Sequence, residues 1–151
     1  MCRIAGIISP PNQNELNKIS AMTDVMHRGG PDDEGVYLDK GLNVALGHRR
    51  LSLIDLSQTG HQPMTDKSES VVVVFNGEIY NYKELKEKLL QFGYQFHSTS
   101  DTEVILNAYL QWGLDCFKEM NGMFAIALLD KRCNKIFLVR DYIGIKPLYY
   151  S

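Results

Sequence analysis

Along the chain, apolar residues recur at two spacings, and each spacing predicts a different element. Ile4, Ile7 and Ile8 lie in a short extended run over residues 1–9, ended by Pro10-Pro11, which predicts a first strand. Over residues 14–26, Leu16, Ile19, Met22 and Met26 recur at helical spacing and predict a helix with all four on one face. The stretch His27-Arg28-Gly29-Gly30-Pro31-Asp32-Asp33-Glu34-Gly35 holds three glycines and a proline and reads as a loop. Short strands are expected over 35–37 and 44–47, joined around Lys40-Gly41. Residues 50–55 follow, and then a polar loop over 57–70 that contains Gly60-His61-Gln62-Pro63.

Residues 71–75, four valines closed by Phe75, predict a strand buried on both faces. It is expected to stop at Asn76-Gly77, a pair that favours positive φ and a tight turn. A helix over 82–91 would turn Leu85, Leu89 and Leu90 inward, with Gly93 as its cap. A second helix over 101–112 would carry Val104, Ile105, Ala108, Tyr109 and Trp112 on one stripe. Residues 123–130 and 135–140 form an expected hairpin around 131–134, and 147–150 begin another strand. Strands, two helices and strands again, without βαβ alternation, predict α+β layers with largely antiparallel sheet. No repeat or linker interrupts them, so residues 1–151 read as one domain. The apolar strand start Leu148-Tyr149-Tyr150 has nothing after it to pair with, which predicts a domain lacking its last elements.

Composition narrows the function classes. Net charge is −2 with scattered Lys and Arg, which favours neither nucleic acid nor an anionic membrane. Apolar runs are strand-sized, too short to span a bilayer, and no secretory leader is expected. Cys2, Cys116 and Cys133 give neither a disulfide framework nor a zinc pattern, so a reducing cytoplasm is the expected compartment. His27, His48, His61 and His97 have no metal-ligand spacing; they read as structural or loop residues, and no metal site is expected.

Cys2 changes the picture. Once Met1 is removed, it would carry a free α-amine beside its own thiol. Such an amine has a pKa of roughly 7.7–8.0, so one residue would hold both nucleophile and general base. Position alone also allows Cys2 simply to open a buried strand. Asn76 and Gly77 could supply a side-chain and a backbone donor to an oxyanion. Ser100-Asp101-Thr102-Glu103 is spelled as a capping box, and Asp101 in its first turn could pair with an ammonium. The adjacent Arg49 and Arg50 face opposite ways on a strand, so one can enter a cleft and grip a carboxylate. A nucleophile with its own base, an oxyanion hole, a carboxylate grip and an ammonium partner together fit a free amino acid with a reactive carbonyl. Glutamine, attacked at its side-chain amide, satisfies all four.

These motifs resemble the class II, N-terminal-nucleophile glutamine amidotransferase family, and within it the domain of glutamine-hydrolysing asparagine synthetases. The resemblance runs from Met1-Cys2-Arg3-Ile4-Ala5-Gly6-Ile7 to Arg140-Asp141-Tyr142-Ile143-Gly144-Ile145-Lys146-Pro147-Leu148-Tyr149-Tyr150. It passes through Arg50-Leu51-Ser52-Leu53-Ile54-Asp55, Gly60-His61-Gln62-Pro63-Met64 and Phe75-Asn76-Gly77-Glu78-Ile79-Tyr80-Asn81. Three positions depart from the usual spelling: Arg3 beside the nucleophile, the extra glycine of Gly29-Gly30, and Tyr142 in place of arginine. The resemblance implies a four-layer αββα sandwich, with Cys2 as nucleophile and Asn76 and Gly77 as the oxyanion hole. It also implies that Arg50 holds the glutamine carboxylate and Asp101 its amino group, with Glu78 lining the same pocket.

The implied activity is glutamine hydrolysis through a Cys2 glutamyl thioester, with ammonia passed to a synthetase domain in cis or trans. This chain has no Ser-Gly-Gly-x-Asp-Ser nucleotide loop, so no cofactor is expected in it. ATP and Mg²⁺ belong to the synthetase domain, and a homodimer stays open. Two other readings remain: an amidotransferase for a sugar-acid acceptor in polysaccharide synthesis, and a catalytically silent fragment that binds glutamine or a partner domain.

Overall fold

The computed structural model describes residues 2–9 and 15–151. Met1, the Pro10-Pro11 break and Asn14, the expected first residue of the first helix, lie outside the described residues. In chain order the elements are β1 (Arg3–Ile8), α1 (Glu15–Val25), β2 (Asp33–Asp39), β3 (Val44–Arg50), β4 (Met64–Thr65) and β5 (Val71–Ile79). They continue with α2 (Tyr82–Gln91), α3 (Asp101–Trp112), β6 (Gly122–Asp130) and β7 (Lys135–Arg140).

Two antiparallel sheets form, ordered β1-β3-β2 and β4-β5-β6-β7. The alternating sides of β5 explain how they stack. Val72 and Val74 meet Val44 and Leu46 of β3, together with Ala127 and Leu129 of β6, in a core between the sheets. Val71, Val73, Phe75 and Ile79 face the other way, into a core closed by Leu85 and Leu89 of α2 and by Val104, Ile105 and Ala108 of α3. Each fully buried side chain of this size contributes roughly 1.5–3 kcal/mol. Helix α1 lies on the outer face of the first sheet, where Arg49 donates from Nε to Thr23 O at 3.0 Å. The expected order of helix, sheet, sheet and helices is present, and β3 and β5 are buried on both faces as inner strands must be.

Helix α2 ends as expected. Gly93 takes φ +88°, its N–H reaches Leu90 O at 3.0 Å, and the Tyr94 N–H reaches Leu89 O at 3.1 Å. That pair of bonds is a Schellman close.

Several expectations need correction. Asn76-Gly77 is not a turn: β5 runs straight through it to Ile79, pairing Asn76 with Ala125 and Gly77 with Phe124. The glycine answers a close approach rather than a positive φ. A Cβ on Gly77 would strike Met123 O and come within 2.7 Å of Phe124 Cα. On α1, Leu16 and Met22 stay exposed, at 45% and 41%, while Ile19 and Thr23, one turn apart, are buried. Leu90 also lies outside the core, because α2 buries only its Leu85 and Leu89 stripe. Residues 147–150 form no strand; no ladder pairs them among the described residues.

Only half of the capping box forms. Ser100 Oγ accepts the Thr102 N–H at 3.1 Å, whereas Glu103 turns away to accept from the His97 and Ser98 N–H groups at 2.9 and 2.7 Å. Both carboxylate-bonded amides belong to the turn that leads into α3, so Glu103 fixes the approach to Asp101.

Candidate active site

Every residue singled out from the sequence as catalytic or substrate-binding lines one cleft of about 60 Å³, enough for several waters. Cys2, Arg50, Asn76, Gly77, Glu78 and Asp101 meet there, with Leu51, Asp55, Gln62, Ser100 and Thr102 around them. The sandwich brings them together from the ends of β1, β3 and β5 and from the start of α3.

Cys2 sits just before β1, beside the end of β3. Its Sγ accepts the Leu51 N–H at 3.3 Å and lies 3.6 Å from Leu51 O, so the backbone aims the thiol. Arg50 closes β3 and is almost wholly buried. Its Nη1 donates to Ser57 O at 2.7 Å, and its Nη2 donates to Asp55 O. These two bonds leave three of the five guanidinium donors for other partners. Arg49, on the opposite face, is tied to Asp24 at 2.9 Å and to Glu34, so the two arginines do divide between surface network and cleft.

Strand geometry decides where the Gly77 amide points. Phe124, its cross-strand partner, donates its N–H to Asp141 Oδ2 at 3.1 Å and accepts the Asp141 N–H at 2.8 Å. Both polar groups of Phe124 therefore face away from β5, which makes Gly77–Phe124 a non-hydrogen-bonded pair. The Gly77 N–H then points out of the ladder, on the side shared by Phe75 and Ile79. Those two amides are already taken: Phe75 N–H by Gln62 Oε1 at 2.7 Å, and Ile79 N–H by Asp101 Oδ2 at 3.0 Å. Between them, the Gly77 N–H faces the cleft. Beside it the buried Asn76 side chain has no partner for Oδ1.

Asp101 is 5% exposed at the N-terminal turn of α3. Burial, reinforced by the neighbouring Glu78 charge, pushes its carboxyl up to about 6, despite the Ile79 hydrogen bond that acts the other way. A cation placed beside Asp101 would favour its ionised form.

Two buried residues organise the cleft without having been singled out. Gln62 bridges the Phe75 amide and Thr102 Oγ1, the latter at 3.0 Å, and so joins β5 to α3. Asp55 accepts from Ser57 N and Oγ at 2.8 and 2.6 Å, from Thr59 Oγ1 at 3.1 Å and from Thr99 N at 2.9 Å. Burial works against its charge, yet those hydrogen bonds outweigh it and hold its carboxyl well below the usual range. Asp55 thereby links the loop that clamps Arg50 to the turn that carries Asp101.

His48, read as structural, lies in the interior and lines no part of the cleft. Its Nε2 is 3.1 Å from Phe75 O and Nδ1 has no partner, so Nε2 carries the proton. Burial pulls its pKa down to about 4.

Among the described residues, no helix is long and apolar enough to cross a membrane. The fold is shared with a glutamine phosphoribosylpyrophosphate amidotransferase from B. subtilis. The TM-score is 0.75 over 95% of this chain and 38% of that one, at 17% identity. In sequence, the chain is 42% identical to a putative glutamine-hydrolysing asparagine synthetase 2 of Methanocaldococcus jannaschii, covering 99% of this chain and 32% of that protein. It is 45% identical to the glutamine-hydrolysing asparagine synthetase 2 of Bacillus subtilis, covering 100% of this chain and 20% of that protein. The chain thus spans a fifth to a third of the length of these curated relatives. All of residues 1–151 match the family described as the glutamine amidotransferase domain. With this match, the shared fold and the relatives agreeing, the chain belongs to the glutamine amidotransferase domain family.

Proposed function

We propose that this chain hydrolyses the side-chain amide of glutamine through Cys2 and supplies the ammonia to an ATP-dependent synthetase domain of the asparagine-synthetase type. The observation that carries the reading is the convergence of a thiol, an unpaired amide edge, an arginine and a buried carboxylate in one cleft. Glutamine would place its carboxylate on Arg50 and its ammonium between Asp101 and Glu78, which presents the side-chain amide to Cys2. With Met1 removed, the Cys2 α-amine takes the thiol proton as sulfur attacks the amide carbon. The carbonyl oxygen becomes an oxyanion held by the Gly77 N–H and the Asn76 side-chain amide. Collapse of the tetrahedral intermediate breaks the C–N bond, and the leaving nitrogen takes the proton from the α-amine and departs as ammonia. Water then attacks the thioester, releases glutamate and restores the thiol.

The names of the relatives support asparagine as the product of the whole protein. ATP and Mg²⁺ act in the synthetase domain, in the cytoplasm. The test is ammonia release from glutamine by the mature chain and by Cys2→Ala, with Met1 removal checked by intact mass. Activity is expected only with Cys2 intact, and a Cys2→Ala variant that kept most of it would overturn the assignment.

A further inference from the structure

One buried residue, Asp55, touches both sides of the cleft. It is 6% exposed and lies in the segment between β3 and β4. Its backbone carbonyl accepts from Arg50 Nη2, while Arg50 Nη1 donates to Ser57 O. Its Oδ1 fixes that same Ser57, accepting from Ser57 N at 2.8 Å and from Ser57 Oγ at 2.6 Å. The loop also closes over the guanidinium, since a Cβ on Gly60 would strike Arg50 Nη2. On the other side, Oδ2 accepts from Thr59 Oγ1 at 3.1 Å and from Thr99 N at 2.9 Å. Only Ser100, the N-cap of α3, separates Thr99 from Asp101.

The Asp55 carboxylate is turned onto amides and hydroxyls and away from the arginine beside it. Among the described residues, no acid lies within ion-pair distance of Arg50. A guanidinium held by two carbonyls keeps its whole charge for a ligand carboxylate. One planar group thus ties the segment that aims Arg50 to the turn that aims Asp101.

From these contacts we propose that Asp55 is a positioning residue that fixes the spacing between Arg50 and Asp101, and with it the selectivity of the cleft for a ligand carrying a carboxylate and an ammonium on one carbon. The inference rests on Arg50 and Asp101 as the grips of the proposed function, and it deepens that reading by naming what keeps them in register. A ligand with one charge uses one grip, which can shift to meet it. A ligand with both charges needs the two at a set separation.

The experiment measures Kd by NMR titration in a Cys2→Ala background, with Asp55 intact and with Asp55→Asn. Three amides are compared: glutamine, glutaramic acid, which lacks the ammonium, and 4-aminobutanamide, which lacks the carboxylate. Asparagine puts an NH2 where one carboxylate oxygen stood, so either Ser57 or Thr99 is released whichever way the amide turns. With Asp55 intact, glutamine is expected to bind about tenfold or more tighter than either analogue. In Asp55→Asn, its Kd is expected to rise by about tenfold, while those of the two analogues stay within about twofold. Equal weakening of all three ligands would mean general damage to the cleft and would overturn the proposal. So would an unchanged glutamine Kd, or an Asp55 chain that does not prefer glutamine to both analogues. If Asp55→Asn does not fold, Ser57→Ala carries the test, because it removes one bond to Oδ1 at an exposed position. It must weaken glutamine by about threefold and spare the analogues, and no such selective loss overturns the proposal. Ammonia release by the chain with Cys2 intact scores the glutaminase reading separately. Selective, Asp55-dependent binding without ammonia release would sink that reading and leave this one standing.

Discussion

Under the proposed function, Asp101 would tie substrate recognition to pH in a way that can be measured without catalysis. Its carboxyl is raised from 3.8 to about 6 by burial and by Glu78. About two units at 1.36 kcal/mol each put the ionised form roughly 3 kcal/mol above its cost in an unfolded chain. A glutamine ammonium beside it would reverse that penalty, so binding would select the ionised form. In a Cys2→Ala background, titration calorimetry should give a glutamine Kd that is flat from pH 7 to 8. The Kd should be about twice as large at pH 6 and about tenfold larger at pH 5. Asp101→Asn should bind about tenfold or more weakly at pH 8 and lose this dependence.

The same shift makes a stability prediction of the opposite sense. Because the folded-state pKa lies above the unfolded one, the contribution of Asp101 is fullest below pH 3.8 and is lost as pH rises through 6. Asp101→Asn should therefore raise stability at pH 8, by up to about 2 kcal/mol, while it weakens binding. A Kd that stays flat down to pH 5 in the Asp101 protein would refute the reasoning, as would a pH dependence that survives in Asp101→Asn.

Asn76→Ala should lower kcat about a hundredfold with KM nearly unchanged, since an oxyanion donor acts in the transition state; steady-state kinetics that showed only a KM effect would contradict that role. Gly77→Ala should cost about 3 kcal/mol or more in urea denaturation and remove activity, because its Cβ meets the Met123 and Phe124 backbone rather than a movable side chain. His48 should make the fold acid-labile: with a folded pKa near 4 against 6.5 unfolded, stability is full above pH 6.5 and falls by about 3 kcal/mol as pH drops toward 4. Asp101 acts in the opposite direction over nearly the same range, so urea midpoints at pH 7 and 4.5 should separate more in Asp101→Asn than in wild type; an equal separation would contradict the pairing.

Much of the sandwich was legible because its inner strands carry their burial in their spelling. Residues 71–75 have no polar side, and the structure gives them none, with one face to each core. Helices α2 and α3 were legible for the same reason, with Gly93 marking the end of α2 by its positive φ. Asn76-Gly77 misled because the local rule for that pair assumes the chain turns. Here β6 lies so close that glycine is demanded by the neighbouring strand, a constraint set by residues 46 and 47 positions further along. On α1 the helical spacing was real, but its buried side was narrower than its apolar side, since among the described residues of the helix Ile19 and Thr23 are the ones fully buried.

The cleft divides in the same way. The residues proposed to touch a ligand stood out, because a thiol behind an initiator methionine or an acid at a helix start has a chemistry that can be named from one position. Residues that aim them did not. Asp55 is one more acid in a polar stretch until Thr99, 44 residues away, donates to it. Gln62 is one more loop amide until it joins β5 to α3. Asp141 sits in a recognisable motif, yet nothing in that motif says that it turns the Phe124 amide and leaves the Gly77 N–H free to face the cleft. In each case the side chain works by occupying hydrogen bonds that would otherwise point elsewhere. Such a role exists only between segments, so one sequence records the group that acts more readily than the group that makes room for it.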